Sequence, residues 1–160
     1  MRALSFIIVL LLLSFYSQAA LWRVNNNFGI SANFNNPQSA HNAASNGDTI
    51  YIESSSSSYG SVTCTKQLVW IGMGYFIDPA VVGSNSGLQF HTSSSPLSVI
   101  TVNSGAANSV FMGLTVSGFY ISTNNVTISR CLIGSIEFYA TSPNLTSNFT
   151  LNQSFVTSSI

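Results

Sequence analysis

A segment that repeats itself at a fixed distance constrains this chain more than any other feature. Asn125-Val126-Thr127-Ile128-Ser129-Arg130-Cys131-Leu132-Ile133 aligns without a gap on Asn148-Phe149-Thr150-Leu151-Asn152-Gln153-Ser154-Phe155-Val156, 23 residues later. A looser relative, Val110-Phe111-Met112-Gly113-Leu114-Thr115-Val116, aligns on the first of these at an offset of 16. Each unit holds short β-rich runs and no helix. Such a unit buries its apolar face only against its neighbours, so the pattern reads as a stack of coils. Strands of successive coils then pair in parallel, about 4.8 Å apart. Alternation sets Val126, Ile128 and Ile133 over Phe149, Leu151 and Val156, and puts Asn125 over Asn148, where amides hydrogen-bond along the stack. Residues 21–160 provide about six coils of this length.

The stack accounts for an odd composition. Only 5% of residues are charged, four Lys+Arg against four Asp+Glu. A charge repeated from coil to coil repels its neighbour, whereas Ser, Thr and Asn do not. The same poverty excludes nucleic-acid binding, whose affinity rests on basic side chains neutralising phosphates. With 46% hydrophobic residues, the chain still has a core to bury.

Residues 1–20 read as a signal peptide. Arg2 precedes an apolar run from Leu4 to Phe15, and Ser17-Gln18-Ala19 fits the small-x-small cleavage rule. That run is too short to span a bilayer. The expectation is an exported protein, secreted or at the cell surface, with no transmembrane segment in the mature chain.

One helix is predicted in that mature chain, over residues 36–44. Asn36 caps it, Pro37 takes the first helical position, and Gly47 ends it. Its small face, Ala40, Ala43 and Ala44, suits it to cover the first strand edge. Strands are predicted at 22–25, 50–53, 62–65, 68–71, 99–102, 110–116, 126–133, 136–139 and 149–156. Cys64 and Cys131 fall some two or three coils apart, beyond the Cα separation a disulfide allows, so both are expected as buried free thiols.

The run Ala43-Ala44-Ser45-Asn46-Gly47-Asp48-Thr49-Ile50-Tyr51-Ile52, then Ser58-Tyr59-Gly60 and Lys66-Gln67-Leu68-Val69-Trp70-Ile71-Gly72-Met73-Gly74-Tyr75, resembles the opening of right-handed parallel β-helix proteins of the pectin-lyase-like superfamily. Within that group it resembles the N-terminal regions of exported bacterial β-helix proteins. The resemblance implies an all-β, right-handed parallel β-helix over residues 21–160 with a short N-terminal capping helix, here the N-terminal part of a longer solenoid. It says nothing about activity.

Enzymes of that family carry clustered acidic calcium ligands and a basic catalytic residue, and this chain does not show them. Asp48, Glu53, Asp78 and Glu137 lie in separate segments, and Arg130 falls on a predicted strand facing outward. His41 and His91 have no nucleophile or acidic partner in the sequence. No catalytic, cofactor-binding or metal-binding residue is therefore assigned, and no cofactor is expected. Aromatics beside Asn and Ser can stack on sugar rings, which makes Tyr51, Tyr59, Trp70, Tyr75 and Tyr120 the candidate carbohydrate contacts; Phe119 and Tyr139 share that pattern. The function expected is a non-catalytic structural or adhesive module contacting polysaccharide or other cell-surface components. The alternative is the N-terminal coils of a polysaccharide lyase or glycoside hydrolase whose active site lies beyond residue 160.

Overall fold

The computed structural model describes residues 19–74, 94–139 and 147–159. The signal-peptide reading, Tyr75, Asp78 and His91 lie outside the described residues. Among the described residues, no helix is long and apolar enough to cross a membrane.

The elements are β1 (Leu21–Val24), α1 (Pro37–Ala43), β2 (Thr49–Ile52), β3 (Val62–Cys64), β4 (Val69–Ile71), β5 (Pro96–Val102), β6 (Val110–Met112), β7 (Thr115–Ile121), β8 (Thr127–Ser129), β9 (Leu132–Phe138), β10 (Thr150–Asn152) and β11 (Phe155–Ser159). They form two parallel sheets. The first runs β1-β2-β4-β6-β8-β10 and the second β11-β9-β7-β5-β3. From β2 onward the described chain alternates between them.

The 23-residue offset is the pairing register. Ile128 lies opposite Leu151 and Ile133 opposite Val156. Asn148 Nδ2 donates to Asn125 Oδ1 at 2.9 Å, so the amide ladder is present. The looser offset of 16 is off by one, because Val110 pairs with Thr127 and Phe111 with Ile128. Matching valine to valine had put the wrong face inward, since a one-residue slip reverses every side chain in a strand. Phe111 is fully buried.

Three runs read as single strands are each two. Residues 110–116, 126–133 and 149–156 break at Gly113, Arg130 and Gln153, whose φ values are 65°, 53° and 47°. This left-handed backbone swings the chain from the first sheet to the second, and Arg130 therefore sits at a corner rather than on a strand. Its N–H donates to Asn152 O at 3.0 Å, and Gly113 N–H to Ser129 O at 3.0 Å. The ladder thus continues through the corner. A further bend crosses the second sheet. Buried positions there are three apart, at Leu97 and Ile100, Val116 and Phe119, Ile133 and Ile136, where a flat strand would space them by two. At this bend an added Cβ on Gly134 would meet Ser117 O at 2.1 Å.

The core lies between the sheets. Trp70 of β4 stacks on Phe111 of β6 at 6.2 Å, and Phe111 meets Phe119 of β7 edge-on at 5.2 Å. Isoleucines 50, 52, 100, 121, 128, 133 and 136 pack around them, with Leu68, Leu97, Leu114 and several valines. Helix α1 packs against β1, β2 and β3. Asn36 Oδ1 accepts from Ser39 N–H at 3.1 Å, and Pro37 stands in the first turn. The helix ends at Ala44, not at Gly47. There the Lys66 ammonium donates to the carbonyls of His41, Asn42 and Ala44 at 3.0, 2.9 and 2.6 Å. Ala40 and Ala44 are buried, while Ala43 faces solvent. Cys64 and Cys131 are buried and free. Burial raises both thiol pKa values, that of Cys131 to about 11.

Candidate functional site

Strand phase decides which candidate aromatics reach solvent. Trp70 is fully buried and cannot stack on a sugar. It shares the inward row with Ile50 and Phe111, to which it pairs in register. Tyr59 is also withdrawn, only 4% exposed, with its hydroxyl donating to Glu53 O at 3.0 Å and Val24 O at 3.3 Å. Phe119 is wholly in the core. Tyr75 lies outside the described residues. Tyr51 and Tyr120 remain, both on outward faces and half-buried, and Tyr139 joins them at 50% exposure.

Tyr120 and Tyr139 are part of one cluster on the outer face of the second sheet. The cross-strand row runs Thr63–Thr101–Tyr120–Glu137 over β3, β5, β7 and β9. Tyr139 follows Glu137 by two residues, which returns it to the same face, and its N–H continues the ladder to Ile121 O at 2.9 Å. The two tyrosine rings meet at 87° with centroids 5.4 Å apart. Tyr139 Oη donates to Glu137 Oε2 at 2.8 Å. That hydrogen bond, with some burial and the carboxylate's charge, raises the Tyr139 pKa and keeps the phenol protonated. Among the described residues Glu137 Oε1 has no hydrogen-bond partner. The cluster is an exposed corner made of an edge-to-face tyrosine pair and a carboxylate hydrogen-bonded to one of its two phenols.

Tyr51 occupies a different surface. On the outer face of the first sheet, Arg23, Tyr51, Ile71, Met112 and Ser129 lie in one row. A groove of about 330 Å³ is lined by Arg23, Tyr51, Glu53, Ser54 and Met73. A second of about 320 Å³, with Ile71, Met112 and Arg130 in its wall, shares Met73 with it. Tyr51 Oη points at Met73 Sδ, 2.9 Å away. Arg23 Nε pairs with Glu53 Oε1 at 2.5 Å, and Asn25 Nδ2 donates to Glu53 Oε2 at 2.7 Å. Burial works against the Glu53 charge, but the bonds from Arg23 and Asn25 outweigh it and hold the carboxyl below its ordinary pKa. A carboxylate with both oxygens engaged is a structural tie between β1 and β2 rather than a base.

Asp48 is committed in the same way. It accepts from Ala20 N–H at 2.8 Å, Ser45 N–H at 2.9 Å and the Trp22 indole at 2.9 Å. These bonds overcome the cost of burial and lower its pKa. His41 is buried against Trp70, ring centroids 6.5 Å apart, and accepts Thr65 N–H at Nε2 over 3.0 Å. Arg130 Nε donates to Gln153 Oε1 at 3.1 Å. Among the described residues, no three His, Cys, Asp or Glu side chains lie where they could hold a metal ion.

Glu137, which lies apart from the other acidic residues in the sequence, is the site residue that the aromatic pattern does not include. Its i, i+2 spacing to Tyr139 on a strand was a local signal for one shared face. Its meeting with Tyr120, 17 residues earlier, depends on the β7–β9 register. No protein-family model, no curated protein and no solved structure matches this chain.

Proposed function

We propose that this chain is an exported right-handed parallel β-helix module with a non-catalytic, adhesive role, holding polysaccharide through side chains on its outer face. The signal-peptide pattern supports export. Two parallel sheets traversed alternately, six strand levels in the first, and a bend repeated through β5, β7 and β9 support the β-helix reading. The observation that carries the ligand class is the Tyr120–Tyr139–Glu137 corner. Tyrosine rings offer apolar faces to the C–H side of a sugar, and a carboxylate accepts its hydroxyls. The rigid ladder beneath fixes both rings, so little conformational entropy is lost on contact.

The test is affinity electrophoresis of the exported protein through gels containing soluble polysaccharides. Retardation by at least one neutral or amino polysaccharide is expected, with weaker retardation of Tyr139→Ala. Unretarded migration in every gel overturns the reading.

A further inference from the structure

We propose that the Tyr120–Tyr139–Glu137 corner recognises a protonated amine, and that its polysaccharide ligand is an amino-sugar polymer with free amino groups. This rests on the glycan-binding reading and deepens it. The inference starts from the charge of the site. Glu137 is its one acidic side chain, and the cations of the described chain are committed elsewhere. Arg23 is paired with Glu53 on the other sheet. Lys66 is held by three carbonyls at the end of α1. Arg130 stands at the opposite end of β9, bonded to Gln153. The five residue steps from Leu132 to Glu137 cover about 17 Å along the strand, twice the Debye length of about 8 Å at physiological salt. A uronate would therefore meet an uncompensated carboxylate, and an ammonium its counter-charge.

The ring geometry points the same way. Rings at 87° with centroids 5.4 Å apart pack edge to face, so a ligand meets the outer faces of this half-exposed pair rather than a gap between them. A cation over a tyrosine face is attracted by the ring quadrupole, and aromatic walls are a recurring means of holding ammonium groups. The Tyr139 hydroxyl occupies Glu137 Oε2, which fixes the carboxylate beside the rings and leaves Oε1 for the ligand. A neutral N-acetylated sugar would gain the stacking but neither charge interaction. Free amine, rather than sugar in general, is thus the specificity the corner encodes.

The experiment is calorimetric titration at pH 5.5 and low salt with three size-matched oligosaccharides: fully deacetylated glucosamine, fully N-acetylated glucosamine and galacturonate. The deacetylated oligomer is expected to bind most tightly, and its affinity to fall as sodium chloride is raised. Tyr139→Ala should weaken it by about two- to fivefold, the exposed cation–π contribution expressed as affinity. Glu137→Gln should weaken it by up to about fivefold and flatten the salt dependence. Both side chains are exposed, so neither change threatens folding. Equal binding of acetylated and deacetylated oligomers, or preference for galacturonate, overturns the amine proposal while leaving glycan binding standing. If none of the three binds and no polysaccharide gel retards the protein, both readings fall.

Discussion

Acidification should loosen the attachment of α1 through a single group, His41. The ring is 3% exposed. Its Nε2 accepts Thr65 N–H at 3.0 Å, so that nitrogen carries no proton in the folded chain. Its Nδ1 lies 3.3 Å from Asn42 Oδ1, and the Lys66 ammonium binds the His41 carbonyl at 3.0 Å. Burial pushes the His41 pKa below its ordinary 6.5, the Asn42 bond opposes the shift, and Lys66 adds to it. The unfolded chain therefore binds this proton more readily than the folded one. Stability is full above pH 6.5 and declines as pH falls below it. Protonation sets the buried imidazole N–H against the Thr65 N–H, and an unsatisfied buried donor costs about 1–3 kcal/mol. Urea unfolding followed by circular dichroism should thus show a loss between pH 7.5 and pH 5, which linkage to one group of unfolded pKa 6.5 limits to about 2 kcal/mol. Asp48 and Glu53 have lowered pKa values, so their contributions persist through that window and are lost only in stronger acid. The His41→Gln variant should be less stable than the parent at pH 7.5 and show little slope down to pH 5. An equal slope in parent and variant would refute the reasoning.

Gly134→Ala forces a Cβ to within 2.1 Å of the Ser117 carbonyl, whereas at Gly118 the nearest contact is a Ser135 hydroxyl at 3.4 Å. Gly134→Ala should cost about 1–3 kcal/mol in chemical denaturation, and Gly118→Ala much less. The Trp70 indole N–H is buried and has no hydrogen-bond partner among the described residues. Trp70→Phe removes that orphan donor and should be nearly neutral in thermal melts, while Trp70→Ala should cost about 3–5 kcal/mol. Cys64 and Cys131 should resist a thiol-blocking reagent at pH 8 until urea is added, because the thiolate reacts and burial suppresses it. Mass spectrometry of non-reduced digests should find no bridge between them.

The repeat was legible because a parallel ladder imposes its register on the sequence. Where one level stacks on the next, Asn125 on Asn148 and Ile128 on Leu151, like residues recur at the pairing distance. Elsewhere the signal fades. First-sheet partners lie 28 residues apart at Leu21 and Thr49, 41 apart at Val69 and Val110, and 17 apart at Val110 and Thr127. Connections of unequal length erase a fixed period. The capping helix was legible for local reasons, since Asn36 and Pro37 act within one turn.

The aromatics show the reverse case. Val69-Trp70-Ile71 is apolar on both faces, so alternation gives no direction for Trp70. Only its register with Ile50 and Phe111 turns it inward. Arg130 was read on a strand because nothing in an arginine announces a left-handed corner. Gly113, at the equivalent corner one level earlier, carries that signal in its residue type.

By itself, then, the sequence determined what acts locally or periodically: parallel stacking, a capped helix, neutral outer ladders, and two cysteines buried apart. Only the tertiary structure decided what faces solvent and what meets there. Tyr120, Glu137 and Tyr139 come together because β7 pairs with β9 in one register, and a shift of one residue would have buried the tyrosines and dispersed the corner.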